Sequence, residues 1–365
     1  MATHPAVATT AVHAPLEILH VATIAPGQGE VRVRVEWTAS TPLDLHQADG
    51  GLLVHHPQVL GDGIAGTVVE VGSGVKNLKL GDKVFGFGWR ERKEKAYQEF
   101  STLPEFLLGK LPTGFTLQQA VTLPNNFVTA CHTITADLGL PFPWPKPVDY
   151  VPPRANDRIL IWGGASSVGQ YAIQILSYYG YCNIWTTAST RHHETMRSLG
   201  AMECFDYRSP SVTSDILESC APQRTGEPSI PLILDCIGSL KGTVEPITKI
   251  AQSGAKVAVL LPIIVKDSSD ESMPEYAMDV STAAPWAKGV DAVGVRTHFY
   301  LNNEFFREQL QSSIMPAMLA EGIIKPNPQR IVEGTTLLER AQRAMDTLRR
   351  KEVSGERLVW RVADV

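Results

Sequence analysis

The sequence predicts an α/β protein in which a β-rich part accompanies a doubly wound parallel sheet. In the first third of the chain, segments rich in valine alternate apolar and polar residues, as in 30–35 and 66–71, and glycines separate these segments. Such alternation is typical of antiparallel strands. From about residue 157 the pattern changes to strand, helix, strand, which indicates a parallel sheet built from βαβ units. With 365 residues, 44% of them hydrophobic, the chain is long enough for two cores.

The second part alternates predicted strands and helices. Its strands are expected at 158–162, 183–187, 203–207, 231–236 and 255–261, with helices at 166–179, 193–199 and 242–251. The end of the chain predicts two more helices, 305–319 and 336–350, and a closing strand, 358–362, which we expect to rejoin the first part.

A proline-rich segment, residues 141–156, separates the two patterns. Prolines lack the amide donor that a central strand or a helix interior needs. We interpret this segment as a stiff linker; the alternative is a ligand for an aromatic groove of a partner. The first domain is then expected to comprise residues 1–140 and 295–365, and the second to comprise residues 157–294.

Composition excludes several function classes. A net charge of −5 without a long basic stretch gives no support for a nucleic-acid surface, and the mixed run 90–95 is interpreted as a solvated loop. No leader is recognisable, and no apolar run reaches the roughly 20 residues that span a bilayer, so we expect a cytoplasmic protein without a membrane segment. The five cysteines are widely spaced, which favours reduced thiols over disulfides.

Residues 159–169 carry the main functional signal. A short apolar strand runs into glycines and then into the start of a helix, an arrangement whose backbone amides can bind the pyrophosphate of a dinucleotide. The alternative is that these glycines only allow a helix to pack closely on the sheet. The predicted contact residues are Gly163, Gly164, Ser166, Ser167, Val168 and Gly169.

The end of the next predicted strand selects between the two nicotinamide cofactors. A carboxylate there would accept hydrogen bonds from an unphosphorylated ribose and repel a 2′-phosphate. This chain instead has Ser189, Arg191 and His192, and a guanidinium can bind a phosphate through two hydrogen bonds. The sequence therefore favours NADPH, with a solvated Arg191 at a helix start as the alternative.

Several motifs resemble the medium-chain dehydrogenases/reductases, in particular the zinc-independent branch that includes quinone oxidoreductases. The resemblance rests on Leu-Gly-Asp-Gly-Ile-Ala-Gly-Thr-Val-Val-Glu-Val-Gly at 60–72 and on Gly-Asp-Lys-Val at 81–84. Residues 204–210, the proline-rich insert after 138–141 and the ending 353–359 resemble the fungal trans-acting enoyl reductases that serve polyketide synthases. The resemblance implies a GroES-like β-rich catalytic domain made from both chain ends, with a Rossmann domain between them.

Zinc alcohol dehydrogenases of this superfamily hold their catalytic metal with a cysteine, a histidine–glutamate pair and a second cysteine. At those positions this chain has Thr41, Asp62 followed by Gly63, and Asn125. Hydroxyl and amide groups are poor ligands for zinc, and one carboxylate cannot complete a tetrahedral site. The four-cysteine structural zinc lobe is also absent from the sequence, so we predict metal-free chemistry.

Two residues are predicted to act at the nicotinamide end. His46 falls where relatives carry a tyrosine or a lysine, and we expect it to orient the ribose or the substrate oxygen, or to donate a proton. A loop histidine without a role is the alternative. Thr129 matches the threonine that lines the nicotinamide pocket in the family, although a helical threonine can also bond its own backbone. Asp44 is expected to pin the segment that carries His46.

The remaining site residues follow from the resemblance alone. Tyr207 resembles the tyrosine that contacts the adenosine half of the cofactor, with a core aromatic as the alternative. The other implied cofactor contacts are Leu260, Leu261, Val353 and Ser354. Residues 263–286 are expected to form either a variable lid for an acyl chain or an ordinary surface loop.

These observations predict an NADPH-dependent, metal-independent reductase of activated carbon–carbon double bonds. Its substrate is expected to be an α,β-unsaturated carbonyl compound, either small or carried by a polyketide synthase as partner. Reduction of quinones on the same scaffold is one alternative, and a non-catalytic NADPH-binding regulatory protein is another. The sequence leaves the physiological substrate, the proton donor and the choice between monomer and dimer open.

Overall fold

The computed structural model describes residues 2–220 and 226–363. The chain divides into two compact units. Unit 1 comprises Met1–Asn126, Ser268–Pro274 and Leu301–Val365, and unit 2 comprises Phe127–Asp267 and Glu275–Tyr300.

The strands are β1 (Thr3–Thr9), β2 (Glu17–Ala22), β3 (Glu30–Ser40), β4 (Gln58–Val59), β5 (Gly63–Val71), β6 (Lys83–Phe87), β7 (Phe100–Pro104), β8 (Leu108–Lys110), β9 (Ile159–Trp162), β10 (Ile184–Thr187), β11 (Glu203–Phe205), β12 (Leu232–Asp235), β13 (Lys256–Leu260), β14 (Ile263–Lys266), β15 (Glu275–Ala277), β16 (Asp291–Val295), β17 (Gln329–Ile331) and β18 (Arg357–Arg361). The α-helices are α1 (Pro42–Gly50), α2 (Leu117–Ala120), α3 (Pro124–His132), α4 (Ser167–Tyr179), α5 (His193–Leu199), α6 (Val212–Glu218), α7 (Glu245–Thr248), α8 (Val280–Ala283), α9 (Glu304–Gln309), α10 (Met315–Ala320) and α11 (Leu337–Arg349).

Unit 1 is built on β sheets, as the alternating valines predict. Its larger sheet has the order β17-β18-β3-β5-β6-β8, with β7 also paired to β3, and its smaller sheet has the order β2-β1-β4. In β3, Val31, Val33 and Val35 are fully buried while the arginines between them are partly exposed. Strand β18 pairs antiparallel with β3, so the end of the chain rejoins the first part as predicted.

Unit 2 contains the predicted doubly wound sheet. Six strands, all parallel, lie in the order β11-β10-β9-β12-β13-β16. This strand order is that of the dinucleotide-binding Rossmann fold, in which ligands bind at the carboxyl ends of the strands. The α/β prediction, with a β-rich domain beside a Rossmann sheet, is confirmed.

Two predicted helices are interrupted. The predicted helix 242–251 is a π-helical segment, Leu240–Val244, followed by the short α7. The predicted helix 305–319 consists of α9, a π-helical segment, Leu310–Ile314, and α10. In both cases a proline lies at the start of the following α-helix, where its missing amide prevents a regular ladder of i to i−4 hydrogen bonds.

Four segments depart from the expected domain division. Residues 127–140 and 295–300, which were expected in the first domain, belong to unit 2. The proline-rich segment belongs to unit 2 and contains no helix or strand. It packs on α4, because Lys146 Nζ donates to Tyr178 O (2.6 Å) and Tyr179 Oη donates to Pro143 O (3.0 Å). The segment predicted as lid or loop is partly regular, with a β14–β15 hairpin whose tip, Ser268–Pro274, belongs to unit 1.

All five cysteines are free thiols. Across the described residues, helices of a length and hydrophobicity sufficient to cross a bilayer do not occur.

The Gly61→Ala substitution tests the packing of the loop before β5. A Cβ at Gly61 would lie 2.0 Å from Tyr97 Cδ1, and Tyr97 is fully buried. Gly114 has a similar positive φ of +91° against +83°, but a Cβ there meets nothing within 4 Å. We expect Gly61→Ala to lower the free energy of unfolding by about 1–3 kcal/mol more than Gly114→Ala in denaturant titrations, because only Gly61→Ala overpacks the core. Equal losses would show that backbone strain alone decides both positions.

Candidate cofactor and active site

The glycine turn of unit 2 connects β9 to α4. Gly163 has a φ of +86°, a backbone conformation that side chains with a Cβ rarely adopt. A Cβ at Gly164 would lie 2.0 Å from Thr186 Oγ1, and one at Gly169 would lie 2.5 Å from Gly163 O. Gly164 and Gly169 therefore allow α4 to pack closely on the sheet. This packing was the alternative to pyrophosphate binding in the interpretation of the sequence. Packing and phosphate binding are compatible uses of the same turn.

The N-terminus of α4 opens from this turn. Ser166 is the N-cap, and its hydroxyl accepts a hydrogen bond from Gly169 N at 3.1 Å. The other first-turn amides, including those of Ser167 and Val168, have no acceptor within the helix itself. Together with the positive end of the helix dipole, they suit an anionic group such as a pyrophosphate. These residues fit a dinucleotide cofactor.

The carboxyl ends of β10 and β11 lie side by side. Ala188 N donates to Phe205 O at 3.0 Å, continuing the register of the two parallel strands. Ser189 is buried and precedes the turn that carries Arg191 and His192, and Arg191 Nε donates to His192 Nε2 at 3.2 Å. The Arg191 side chain is exposed, so its guanidinium is accessible to a ligand at this edge.

The end of β11 adds a cation that sequence reasoning did not assign. Tyr207 is 45% exposed, which excludes the core interpretation of this residue. The guanidinium of Arg208 lies over the Tyr207 ring, 5.5 Å from its centroid. Because β10 and β11 are neighbours in register, Arg191 and Arg208 both follow strand ends at one edge of the sheet. The sequence feature that could have indicated this cation is the position of Arg208 directly after Tyr207.

A buried carboxylate shapes the loop after β12. Asp235 Oδ1 accepts hydrogen bonds from Ile237 N (2.9 Å) and Gly238 N (3.1 Å), and Oδ2 accepts one from Thr243 Oγ1 (2.5 Å). Burial raises the pKa of Asp235 to about 6, although these hydrogen bonds act in the opposite direction. The loop that Asp235 fixes covers the glycine turn, because a Cβ at Gly163 would meet the Ile237 side chain at 2.7 Å.

The predicted contact Leu260 lies at the same end of the sheet. A Cβ at Gly238 would lie 2.5 Å from Leu260 O, so the end of β13 borders the loop that covers Gly163. Leu261 follows it and contacts Gly294 of β16. The structure thus brings Gly163 and Leu260 together at the carboxyl edge, where this fold binds its ligands.

Thr129 lies on α3 of unit 2. Its hydroxyl is 3.0 Å from the Thr297 hydroxyl, and its carbonyl accepts the Thr133 hydroxyl at 2.8 Å. Sequence reasoning missed Thr297, because nothing in the chain links positions 168 residues apart. The remaining implied contacts, Val353 and Ser354, lie in unit 1 between α11 and β18.

In unit 1, His46 lies half-buried on α1. Thr41 caps this helix, and Asp44 completes a capping box in which Thr41 N donates to Asp44 Oδ2 at 2.7 Å. The other Asp44 oxygen accepts Gly61 N at 3.1 Å. Asp44 therefore fixes the helix of His46 to the loop before β5, in agreement with the pinning role expected of it. Burial, with the charge of Asp62, raises the pKa of Asp44 to about 6.

One of the positions that resemble zinc ligands, Asp62, binds the ammonium group of a lysine. Asp62 Oδ1 accepts a hydrogen bond from Lys95 Nζ at 2.6 Å, and both side chains are almost completely buried. The Thr41 hydroxyl is bonded to Asp44 at 3.1 Å. Residues 2–220 and 226–363 contain no group of three or more His, Cys, Asp or Glu side chains arranged to hold a metal ion. This donor set, with an ammonium on its carboxylate, does not fit zinc.

Comparison with known proteins gives relatives over most of the chain. The alcohol dehydrogenase GroES-like domain matches residues 27–133. The trans-enoyl reductase himH of Aspergillus japonicus is 30% identical over 341 residues, which covers 92% of this chain and 90% of the relative. The enoyl reductase component lovC of the lovastatin nonaketide synthase, from Aspergillus terreus, is 28% identical over 347 residues, with 91% and 89% covered.

Among solved structures, the CurK enoyl reductase superposes with a TM-score of 0.73 and covers 98% of both chains. Its sequence identity is 18%, so this likeness establishes the fold alone.

The Asp235→Asn substitution tests the charge of the loop carboxylate. The pKa of Asp235 in the folded protein, about 6, lies above the ordinary value of 3.8, so the folded state binds the proton more tightly. The contribution of Asp235 to stability is therefore largest below about pH 4 and is lost as the pH rises to about 6. Asparagine preserves the shape and cannot ionise. We expect Asp235→Asn to gain stability relative to the unmodified protein between pH 4 and pH 7, measured by denaturant unfolding.

Asp82→Asn provides a control of opposite sign. Partial burial disfavours the charge of Asp82, but hydrogen bonds from Lys79 N and from Lys110 outweigh it and lower the pKa. Its stabilising contribution is present above the unfolded pKa and is lost as the pH falls, so Asp82→Asn should lose relative stability as the pH rises. If both variants changed in the same direction, the assignment for Asp235 would be wrong.

Proposed function

We propose that this chain, which belongs to the medium-chain dehydrogenase/reductase family in the group that contains the fungal trans-enoyl reductases, is an NADPH-dependent reductase of carbon–carbon double bonds conjugated to a carbonyl. Membership follows from 30% identity over 92% of the chain to one of these enzymes, and makes the protein an oxidoreductase. That relationship is also the observation that carries the proposed reaction type.

Three features of unit 2 support a phosphorylated dinucleotide as cofactor. The amides at the start of α4 suit the pyrophosphate. The end of β10 has no carboxylate to hold a free 2′-hydroxyl, and the arginines at positions 191 and 208 supply positive charge at the same edge. Tyr207, exposed beside Arg208, offers a flat surface for the adenosine half.

The reaction that suits this site needs no metal. NADPH, when bound, supplies a hydride for the β-carbon of an unsaturated carbonyl compound. The electron pair of the double bond then moves to the α-carbon and the carbonyl oxygen, and a proton completes the saturated product. The tasks left to the protein are to orient the substrate, to stabilise the negative oxygen and to exclude water. We assign orientation of the nicotinamide to Thr129, and contact with the ribose or the substrate oxygen to His46.

The proposed partner is a polyketide synthase that presents an enoyl thioester on its carrier domain. The names of two relatives support this partner: one is a trans-enoyl reductase, and the other is the enoyl reductase component of a nonaketide synthase.

We test the proposed activity by following the oxidation of NADPH with an unsaturated thioester and identifying the saturated product by mass spectrometry. Oxidation with a quinone but not with the thioester would favour the alternative reaction. Binding of NADPH without oxidation by any acceptor would favour a non-catalytic role.

The Arg191→Ala substitution tests the choice of cofactor. Loss of a charge-assisted hydrogen bond to the 2′-phosphate should raise the Kd for NADPH about 10–100-fold, while the Kd for NADH should stay unchanged. Fluorescence titration measures both. Arg197→Ala, which removes an exposed arginine from the same helical region, serves as the control and should change neither constant. Equal weakening of NADPH and NADH by Arg191→Ala would contradict a 2′-phosphate contact.

The His46→Phe substitution tests the active-site role on α1. Loss of a hydrogen-bond donor that acts in the transition state should reduce kcat for the thioester about 10²–10⁴-fold, with the Kd for NADPH changed little. His55→Phe, at an exposed histidine that follows the same helix, is the matched control. If His46→Phe kept full kcat, the alternative that His46 has no role in the reaction would be correct.

A further inference from the structure

Lys95 is a charged side chain in the interior of unit 1. Its side chain is 6% exposed, and its ammonium forms a 2.6 Å ion pair with Asp62, which is 3% exposed. Lysine is almost never this buried unless it is paired, and burying an ion pair costs stability that an apolar pair of the same volume would not. The proposed chemistry assigns no role to this lysine.

The ammonium has more donors than its ion pair with Asp62 uses. An ammonium carries three N–H donors, and among the residues that the structure describes it has a single acceptor, Asp62 Oδ1. Two donors are therefore left for another acceptor. These donors are suited to an oxygen atom of a ligand, because an ammonium donates and cannot accept.

Lys95 is also held firmly at both ends. Its backbone carbonyl accepts hydrogen bonds from Gln98 Nε2 (2.8 Å) and Ser101 Oγ (2.5 Å). The next residue donates from its amide to Gly61 O at 2.8 Å. With Asp62 on the ammonium, the side chain needs little reorganisation to meet a charge, which is the condition for strong electrostatic stabilisation.

The lysine lies beside the elements that carry the active-site candidates. Asp62 follows Gly61, and the Gly61 amide donates to Asp44, the carboxylate that completes the capping box of α1. That helix carries His46. Asp62 and Thr41 also stand at the positions that resemble ligands of a catalytic metal, where a zinc ion would polarise a carbonyl. An ammonium on Asp62 supplies a positive charge in the same neighbourhood.

We propose that Lys95 is a catalytic residue that donates a hydrogen bond from its ammonium to the carbonyl oxygen of the substrate. This inference rests on the proposed function. Hydride addition to the β-carbon oxidises the cofactor and moves the electron pair of the double bond toward that oxygen. The ammonium stabilises the resulting negative charge without losing its proton, and a separate acid protonates the α-carbon. Asp62 keeps the ammonium in position.

The experiment must separate catalysis from stability. Lys95→Met alone would leave the buried carboxylate of Asp62 unpaired, which can unfold the protein. The double variant Lys95→Met/Asp62→Leu removes both charges and keeps the volume apolar. Lys93→Met is the matched control, because Lys93 lies two residues away and forms a 2.6 Å ion pair with Glu30.

We expect the double variant to fold, to melt within a few degrees of the unmodified protein and to bind NADPH with unchanged Kd. Its kcat for an unsaturated thioester should fall about 10²–10³-fold, the loss typical for one donor to a developing oxyanion. Lys93→Met should retain kcat. A double variant with full kcat, or one whose kcat, NADPH affinity and melting temperature all fall together, would show that the pair is structural.

A second measurement does not depend on turnover. Acetylacetonate is a stable enolate anion and serves as a probe of the proposed oxygen site in calorimetric titrations with NADP⁺ present. The unmodified protein should bind it at least tenfold more tightly than the double variant. Lysine-dependent binding in a protein that reduces no thioester would retain the assignment of Lys95 and reject the proposed function. Equal binding by the two proteins would reject the assignment of Lys95.

Discussion

The hydrogen bonds of Asp44 are the constraint on which the rest of unit 1 depends. Its carboxylate is buried, and its two oxygens accept from the backbone of Thr41 on one side and of Gly61 on the other. The first bond begins α1, and the second holds the loop that leads into β5. A carboxylate that is removed from water needs such donors, because without them its desolvation would destabilise the fold. Helix and loop therefore have one fixed relative position.

Buried acids are satisfied in different ways in the two units. In unit 2, Asp235 accepts only from amides and a hydroxyl, so its charge is met by dipoles. In unit 1, Asp62 is met by the full positive charge of Lys95. The amides and the hydroxyl that bind Asp235 define the shape of its loop. The ammonium of Lys95 has further N–H donors, which can also interact with a negative charge that develops on a substrate.

Sequence patterns predicted those parts of the structure that depend on neighbours in the chain. The alternation in β3 and the glycine turn before α4 are local, and both were predicted from spacing. The capping box of Asp44 is also local, but only a pinning role of Asp44 was expected from the sequence. The ion pair of Asp62 with Lys95 joins residues 33 positions apart, within a run of mixed charge that resembled a solvated loop. No local pattern distinguishes a lysine that points into the core from one that points into water. The hydrogen bond between the hydroxyls of Thr129 and Thr297 could not be predicted for the same reason, because the two residues are 168 positions apart.

The tip of the β14–β15 hairpin shows how such long-range contacts change a functional interpretation. Arg349 binds the buried Asp49 through two hydrogen bonds, of 2.8 and 2.9 Å, and Ser268 donates to the same carboxylate. Bidentate pairs of this kind are among the stronger polar interactions, and breaking one would leave Asp49 buried without its partner. A segment anchored in this way does not swing freely as a lid. The anchored tip therefore behaves as part of unit 1, although the strands on either side of it belong to unit 2.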